Sequence, residues 1–265
     1  MIIPRNIRLI ASDLDGTLLH PLGSQALKEG TCDLIRKWLD KGGLFVAASG
    51  RQYANLRLIF EPIRDDIHYI CENGCLVMSE GKILLEAALE RDLAEHLSWD
   101  ILENGDGELL ISTAWTQFVI PKQDKFFYHM RDTVRVQVER ITDISEVKDP
   151  ILKVSMYREN GLTDITPWRE RYGTVCTVQT SGTDWLDMTP KGVSKATALE
   201  VLLNRLGVKP SECMALGDNE NDASLLAMVG FPIAMSDATP DILKMVSQTT
   251  DSVEAVLREM VSQRA

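Results

Sequence analysis

The chain has 265 residues, 45% of them hydrophobic and 25% charged, enough for one large or two modest globular units with sizeable cores. A formal net charge of −11 and a pI near 4.9 exclude a broad basic surface for nucleic acid or an anionic membrane, so any phosphate binding has to be local. Five cysteines without a C-x-x-C pair, no basic-then-apolar leader and no run near the ~18 apolar residues of a membrane span lead us to expect a soluble cytoplasmic protein with reduced thiols.

The first expected element is a strand over residues 7–11, ended by Asp13-Leu14-Asp15-Gly16-Thr17. Asp-Gly is ordinary turn chemistry and accounts for Asp15 and Gly16. It does not account for Asp13, because a carboxylate at the end of an apolar strand loses hydration and needs a cation or hydrogen bonds in return. On extended backbone the carboxylates of Asp13 and Asp15 project to one side, where they can share a cation. A helix over 24–40, a strand over Leu44–Ala48 that ends in Ser49-Gly50-Arg51, and a helix over 53–60 follow, the rhythm of a parallel α/β sheet. Next stands Cys71-Glu72-Asn73-Gly74-Cys75, whose two cysteines find no zinc partners among four scattered histidines.

From about residue 87 the texture changes. A helix over 90–102, alternating strands over 108–120, a helix over 125–135, a strand over 151–157, a helix over Thr166–Tyr172 and a strand over 175–179 describe an α+β insertion with its own core. It occupies 87–186 and divides a core unit into 1–86 and 187–265. Its Trp115, His129, Arg131 and Arg135 are expected in structural roles. The α/β rhythm returns with a helix over 192–206, a strand over 213–216 that ends in Gly217-Asp218-Asn219-Glu220-Asn221-Asp222, a helix over 223–229 and a strand over 231–234.

Ligands of open parallel sheets bind beyond the carboxyl ends of the strands, and three such ends here carry compatible groups. Asp218, directly at its strand end, can meet Asp13 and the backbone carbonyl of Asp15 around a hard cation, an oxygen-only set that describes Mg²⁺. Asp222 suits either a helix cap or a supporting role. Ser49 and Gly50 read as a turn, or as a hydroxyl and an amide on phosphate oxygens. Of Lys191 and Lys195, the second is favoured as the phosphate cation, since a lysine at a helix start opposes the helix dipole unless an anion lies beside it.

In their order, DLDGT, SGR, Lys195 and GDNEND resemble the haloacid dehalogenase superfamily of phosphatases, and ENG with PKGVSKATAL resembles its Cof-type group with a type IIB cap. The resemblance covers essentially the whole chain. Many relatives carry Thr where Ser49 stands, a change that keeps the hydroxyl. The resemblance implies a Rossmann-like parallel-sheet core with helices on both faces plus an inserted α+β cap, and Mg²⁺ held by Asp13, Asp15 and Asp218. It implies Asp13 as nucleophile forming an aspartyl phosphate, Asp15 as acid and then base, and Ser49, Gly50, Lys195 and Asn221 on the phosphate, with Asp222 behind them. The implied partner is a small phosphorylated metabolite, a sugar phosphate or similar monoester. A phosphomutase of the phosphomannomutase type is the alternative enzyme. A non-catalytic phosphometabolite sensor is the other alternative, against which the complete Asp13/Asp15 pair argues.

Overall fold

The computed structural model describes residues 3–20, 26–162 and 164–264. The chain opens with parallel strands β1 (Leu9–Ser12), β2 (Leu44–Ala48) and β3 (His68–Cys71), then folds an antiparallel hairpin, β4 (Leu76–Ser79) and β5 (Lys82–Glu86), onto the sheet edge. It leaves to build a second sheet from β6 (Glu108–Ser112), β7 (Gln117–Val119), β8 (Val138–Arg140), β9 (Lys153–Tyr157), β10 (Cys176–Ser181) and β11 (Trp185–Pro190). It returns with β12 (Cys213–Gly217), β13 (Phe231–Met235) and β14 (Thr249–Thr250). Among the described residues the larger sheet runs β14-β13-β12-β1-β2-β3-β4-β5 and the smaller β10-β11-β9-β6-β7-β8.

β1 is buried at every position because it is covered on both faces, which is why Leu9, Ile10 and Ala11 read as a continuous apolar run. From β1 the chain steps outward one way to β2 and β3, and from β12 it steps the other way to β13 and β14. Right-handed crossovers in opposite directions put their helices on opposite faces. Thr31–Asp40 packs with Val253–Gln263, and Lys195–Leu206 packs with Ala223–Met228. The switch point lies between β1 and β12, whose ends carry Asp13 and Asp218.

The larger sheet and the smaller sheet each have their own apolar cluster, the first around Trp38, Phe45 and Tyr69, the second around Leu97, Ile111 and Met188. β11 pairs with β10 along its whole length and with β9 from Trp185 to Met188, so the smaller sheet extends to Pro190 and we propose the return crossing at residues 191–193. The helix expected over 24–40 is Thr31–Asp40; residues 26–30 are not helical, and positions 24 and 25 lie outside the described residues. The helix expected from 192 starts at Lys195 instead, because Gly192 takes a positive φ and the Ser194 hydroxyl caps the first turn by accepting from the Thr197 N–H. The helix expected over 125–135 is Asp124–Tyr128 followed by a π-helical turn, His129–Val134. No helix among the described residues is long and apolar enough to cross a membrane.

Candidate active site

After Ser12 the backbone turns instead of continuing extended, so Asp13 and Asp15 reach one cavity but hold different partners. The Asp13 N–H donates to the Leu216 carbonyl at 2.9 Å, which stitches the end of β1 to β12. Its Oδ1 accepts from Lys195 Nζ at 2.6 Å, and the same ammonium donates to Asp222 Oδ1 at 2.6 Å. These are the anions that a lysine at a helix start requires. Lys195 is buried, which alone would lower its pKa, but the charges of Asp13 and Asp222 outweigh burial and hold it above its ordinary value. Lys191 points elsewhere, its Nζ donating to the Gly173 carbonyl.

The other oxygen of Asp222 accepts from the N–H groups of Asp218 (3.0 Å) and Asn219 (3.3 Å). Asp222 therefore caps its turn and grips Lys195 at once, with both oxygens engaged. Asp218 is fixed by Thr17, whose hydroxyl donates to its Oδ1 at 3.0 Å, and by the close approach of Gly16. A Cβ on Gly16 would stand 2.4 Å from Asp218 Oδ2, and φ there is +86°, so DLDGT needs glycine on both counts.

Carboxylate oxygens of Asp13, Asp218 and Asp222 lie within 4.8 Å of one another. Burial first, then the charge of Asp222, push Asp13 well above the usual carboxylate range and Asp218 to about 6, although Lys195 pulls both down. One ammonium does not neutralise the cluster. A hard cation on Asp13 and Asp218, the two with an oxygen to spare, would relieve the excess charge, and few protein oxygens with room for water and phosphate suit Mg²⁺.

Asp15 is clamped by Arg51, which donates through Nε (2.8 Å) and Nη2 (2.6 Å) to its two carboxylate oxygens. Ser49 is buried at the end of β2 and its Oγ accepts from the Arg51 N–H at 3.1 Å, which leaves the hydroxyl hydrogen able to donate elsewhere. Ser49, Gly50 and Asn221 line the same cavity of about 360 Å³ as Asp13 and Asp15. Asn221 donates to Asn73 Oδ1 at 3.0 Å.

Two groups in the cavity wall were not legible as site residues. Lys153 of β9 and Asp187 of β11 are buried and 3.3 Å apart, and both line the cavity with Ser49 and Gly50 from the smaller sheet. Each is a charge that interrupts an apolar strand, the signal that singles out Asp13. The far wall is apolar and aromatic: Leu110, Met130, Val136, Tyr157 and Trp185, with His129 stacked on Tyr157 at 5.7 Å and 18°. Trp115 instead packs edge-on against Tyr53, and Arg131 pairs with Asp132 on the surface.

Residues 10–257 match the haloacid dehalogenase-like hydrolase family. The chain belongs to that family. It is 30% identical over 248 residues to an HMP-PP phosphatase of Escherichia fergusonii, covering 89% of this chain and 86% of that one. It is 27% identical over 235 residues to the 5-amino-6-(5-phospho-D-ribitylamino)uracil phosphatase of Escherichia coli K12, covering 88% and 86%. A solved sugar phosphatase of haloacid dehalogenase subclass IIB superposes with a TM-score of 0.79 over 95% of this chain and 98% of that one; at 18% identity it shows the shared fold alone. This haloacid dehalogenase-like chain is thus an enzyme of the Cof-type phosphatase group.

Proposed function

We propose that the protein is a Mg²⁺-dependent cytoplasmic phosphatase of small phosphorylated metabolites, working through an aspartyl phosphate on Asp13. One observation carries the reading: Asp13 is a buried carboxylate at the switch point, held by Lys195 and facing a cavity beside Asp218. Phosphate monoesters are inert because their charge repels nucleophiles, so charge neutralisation and in-line placement are what the protein must supply. Mg²⁺, held by Asp13 and Asp218 with the Asp15 carbonyl, would supply electrophilic neutralisation of the phosphoryl oxygens.

Asp13 attacks phosphorus with its carboxylate oxygen while Lys195, Ser49, the Gly50 amide and Asn221 take up charge on the transferring group. Asp15 protonates the departing alkoxide and then accepts a proton from the water that cleaves the acyl phosphate. In the present geometry Arg51 holds both Asp15 oxygens, so the acid step requires the incoming ester to draw Asp15 off the guanidinium. The aromatic wall of Tyr157 and Trp185 supports a leaving group with a flat apolar face. A uracil-bearing monoester, of the kind the E. coli relative is named for, suits that wall better than a plain sugar phosphate.

A panel of monoesters with Mg²⁺ tests the reading. We expect phosphate release, with ring-bearing esters preferred, and its near-complete loss in Asp13→Asn with the fold intact. Full activity in excess chelator, or wild-type rates in Asp13→Asn, would overturn it.

A further inference from the structure

Lys153 and Asp187 come from the smaller sheet, yet their contacts run to the phosphate end of the cavity. Lys153 and Ser155 share one face of β9, and the register sets Asp187 opposite Ser155, so the three side chains meet. Asp187 accepts from Ser155 (2.6 Å), Ser181 (2.7 Å) and Asn73 Nδ2 (2.6 Å). Lys153 Nζ donates to the Gly50 carbonyl at 2.8 Å and lies 2.8 Å from Glu72 Oε2.

We propose that Lys153 and Asp187 are positioning residues for the groups that grip phosphate, Lys153 acting through the Gly50 peptide and Asp187 through Asn73. This rests on the reading of Ser49 and Asn221 as phosphate contacts. The Gly50 carbonyl and the Arg51 N–H belong to one peptide unit, so the lysine that fixes the first also fixes the second. That N–H donates to Ser49 Oγ, which leaves the serine's own hydrogen for the cavity. On the other side, Asp187 accepts from Asn73 and so sets its amide. Asn73 Oδ1 is then turned to receive Asn221 Nδ2. Both chains start on strands, which hold their side chains more rigidly than loops do.

Energetics point the same way. A buried Glu72–Lys153–Asp187 cluster sets two carboxyl groups around one ammonium, and well-packed apolar residues would make an equally stable or more stable joint. Burial lowers the pKa of Lys153 but the charges of Asp187 and Glu72 outweigh it, so the ammonium stays charged and keeps its hold on Gly50. Glu72 and Asn73 both take positive φ, which turns the loop so that its side chains face the smaller sheet.

Acetyl phosphate is the discriminating substrate, because its leaving group is too small to reach the aromatic wall. We expect Lys153→Met and Asp187→Asn to lower kcat for acetyl phosphate about tenfold or more, and to weaken competitive inhibition by orthovanadate to a similar extent. Asp187→Glu should recover part of the loss. In a Ser49→Ala background, Lys153→Met should add little, since its effect passes through that hydroxyl. Where Lys153→Met fails to fold, the isosteric Asp187→Asn carries the test. Acetyl phosphate kinetics and vanadate inhibition within about twofold of wild type in both variants would overturn the proposal, as would additive losses with Ser49→Ala. A wild-type protein that neither hydrolyses acetyl phosphate nor binds vanadate would instead remove the phosphatase reading, and the proposal with it.

Discussion

Single residues at this site answer to their neighbours. In the proposed mechanism, Asp15 matters as an acid only as far as the leaving group needs a proton. We therefore expect Asp15→Asn to slow hydrolysis of alkyl phosphates more than that of aryl phosphates, whose phenolate departs with less help. Equal losses on both, measured as kcat/KM, would assign Asp15 to the metal and Arg51 alone. His68 gives a test of pH dependence away from the site. It is buried in β3 with Nδ1 2.9 Å from the Ser79 hydroxyl, and burial depresses its pKa. The unfolded ring takes up a proton near about 6.5, before the folded one does. Its contribution to stability is thus full above that value and is lost as pH falls toward the depressed folded pKa. Between about pH 7 and about pH 5, Tm should fall less in His68→Gln than in the wild type. Parallel falls would show that the ring is not the source.

At the scale of elements, the helix Lys195–Leu206 is held in two ways. Ser194 caps its first turn, and the Glu72-Asn73-Gly74 turn packs against its start so tightly that a Cβ on Gly74 would lie 2.2 Å from the Ser194 carbonyl. Ser194→Ala should lower stability by roughly 1 kcal/mol, about 2–4 °C in Tm. Because the cap also fixes where Lys195 begins, kcat should fall further than that loss of folded protein explains. A Tm shift with unchanged kcat would show that the ion pairs to Asp13 and Asp222 alone place the lysine. The smaller sheet is tied to the larger one by a side-chain amide as well: Gln52, fully buried, donates through Nε2 to the Trp115 carbonyl at 2.9 Å and accepts at Oε1 from the Gln137 N–H at 3.2 Å.

For the whole molecule, the proposed metal binding would link to folding. Asp13, Asp218 and Asp222 repel one another across the switch point, and a cation bound only by the folded chain stabilises it by about 2.7 kcal/mol at a hundredfold excess over Kd. Mg²⁺ should raise Tm relative to chelator, and Asp218→Asn should abolish most of that rise. In chelator, Asp218→Asn should be at least as stable as the wild type, since it removes one of the repelling carboxylates while leaving an oxygen for Thr17. A Tm indifferent to Mg²⁺ would dissociate the cluster from metal binding.

Much of the fold was legible because it depends on local pattern. The apolar runs of β1 and β2, the Asp-Gly turn and the helix Thr166–Tyr172 follow from residue type and spacing alone. The order of DLDGT, SGR, Lys195 and GDNEND was legible as a resemblance to the haloacid dehalogenase family, and each piece stands at the end or start of an element. What remained hidden depends on pairing between distant strands. Asp187 lies inside β11, whose partners β9 and β10 give it Ser155, Lys153 and Ser181, and Asn73 reaches it from a turn 114 residues away. Its place inside an apolar strand marks that aspartate as out of place, as it does Asp13, but nothing local names the groups that answer its charge. The partner of Asp15 was likewise a matter of tertiary placement, since Arg51 meets it only after β1 and β2 lie side by side. Residue type and period set which elements form and where charge is out of place. Only the register and packing of the two sheets decided which opposite charge answers it.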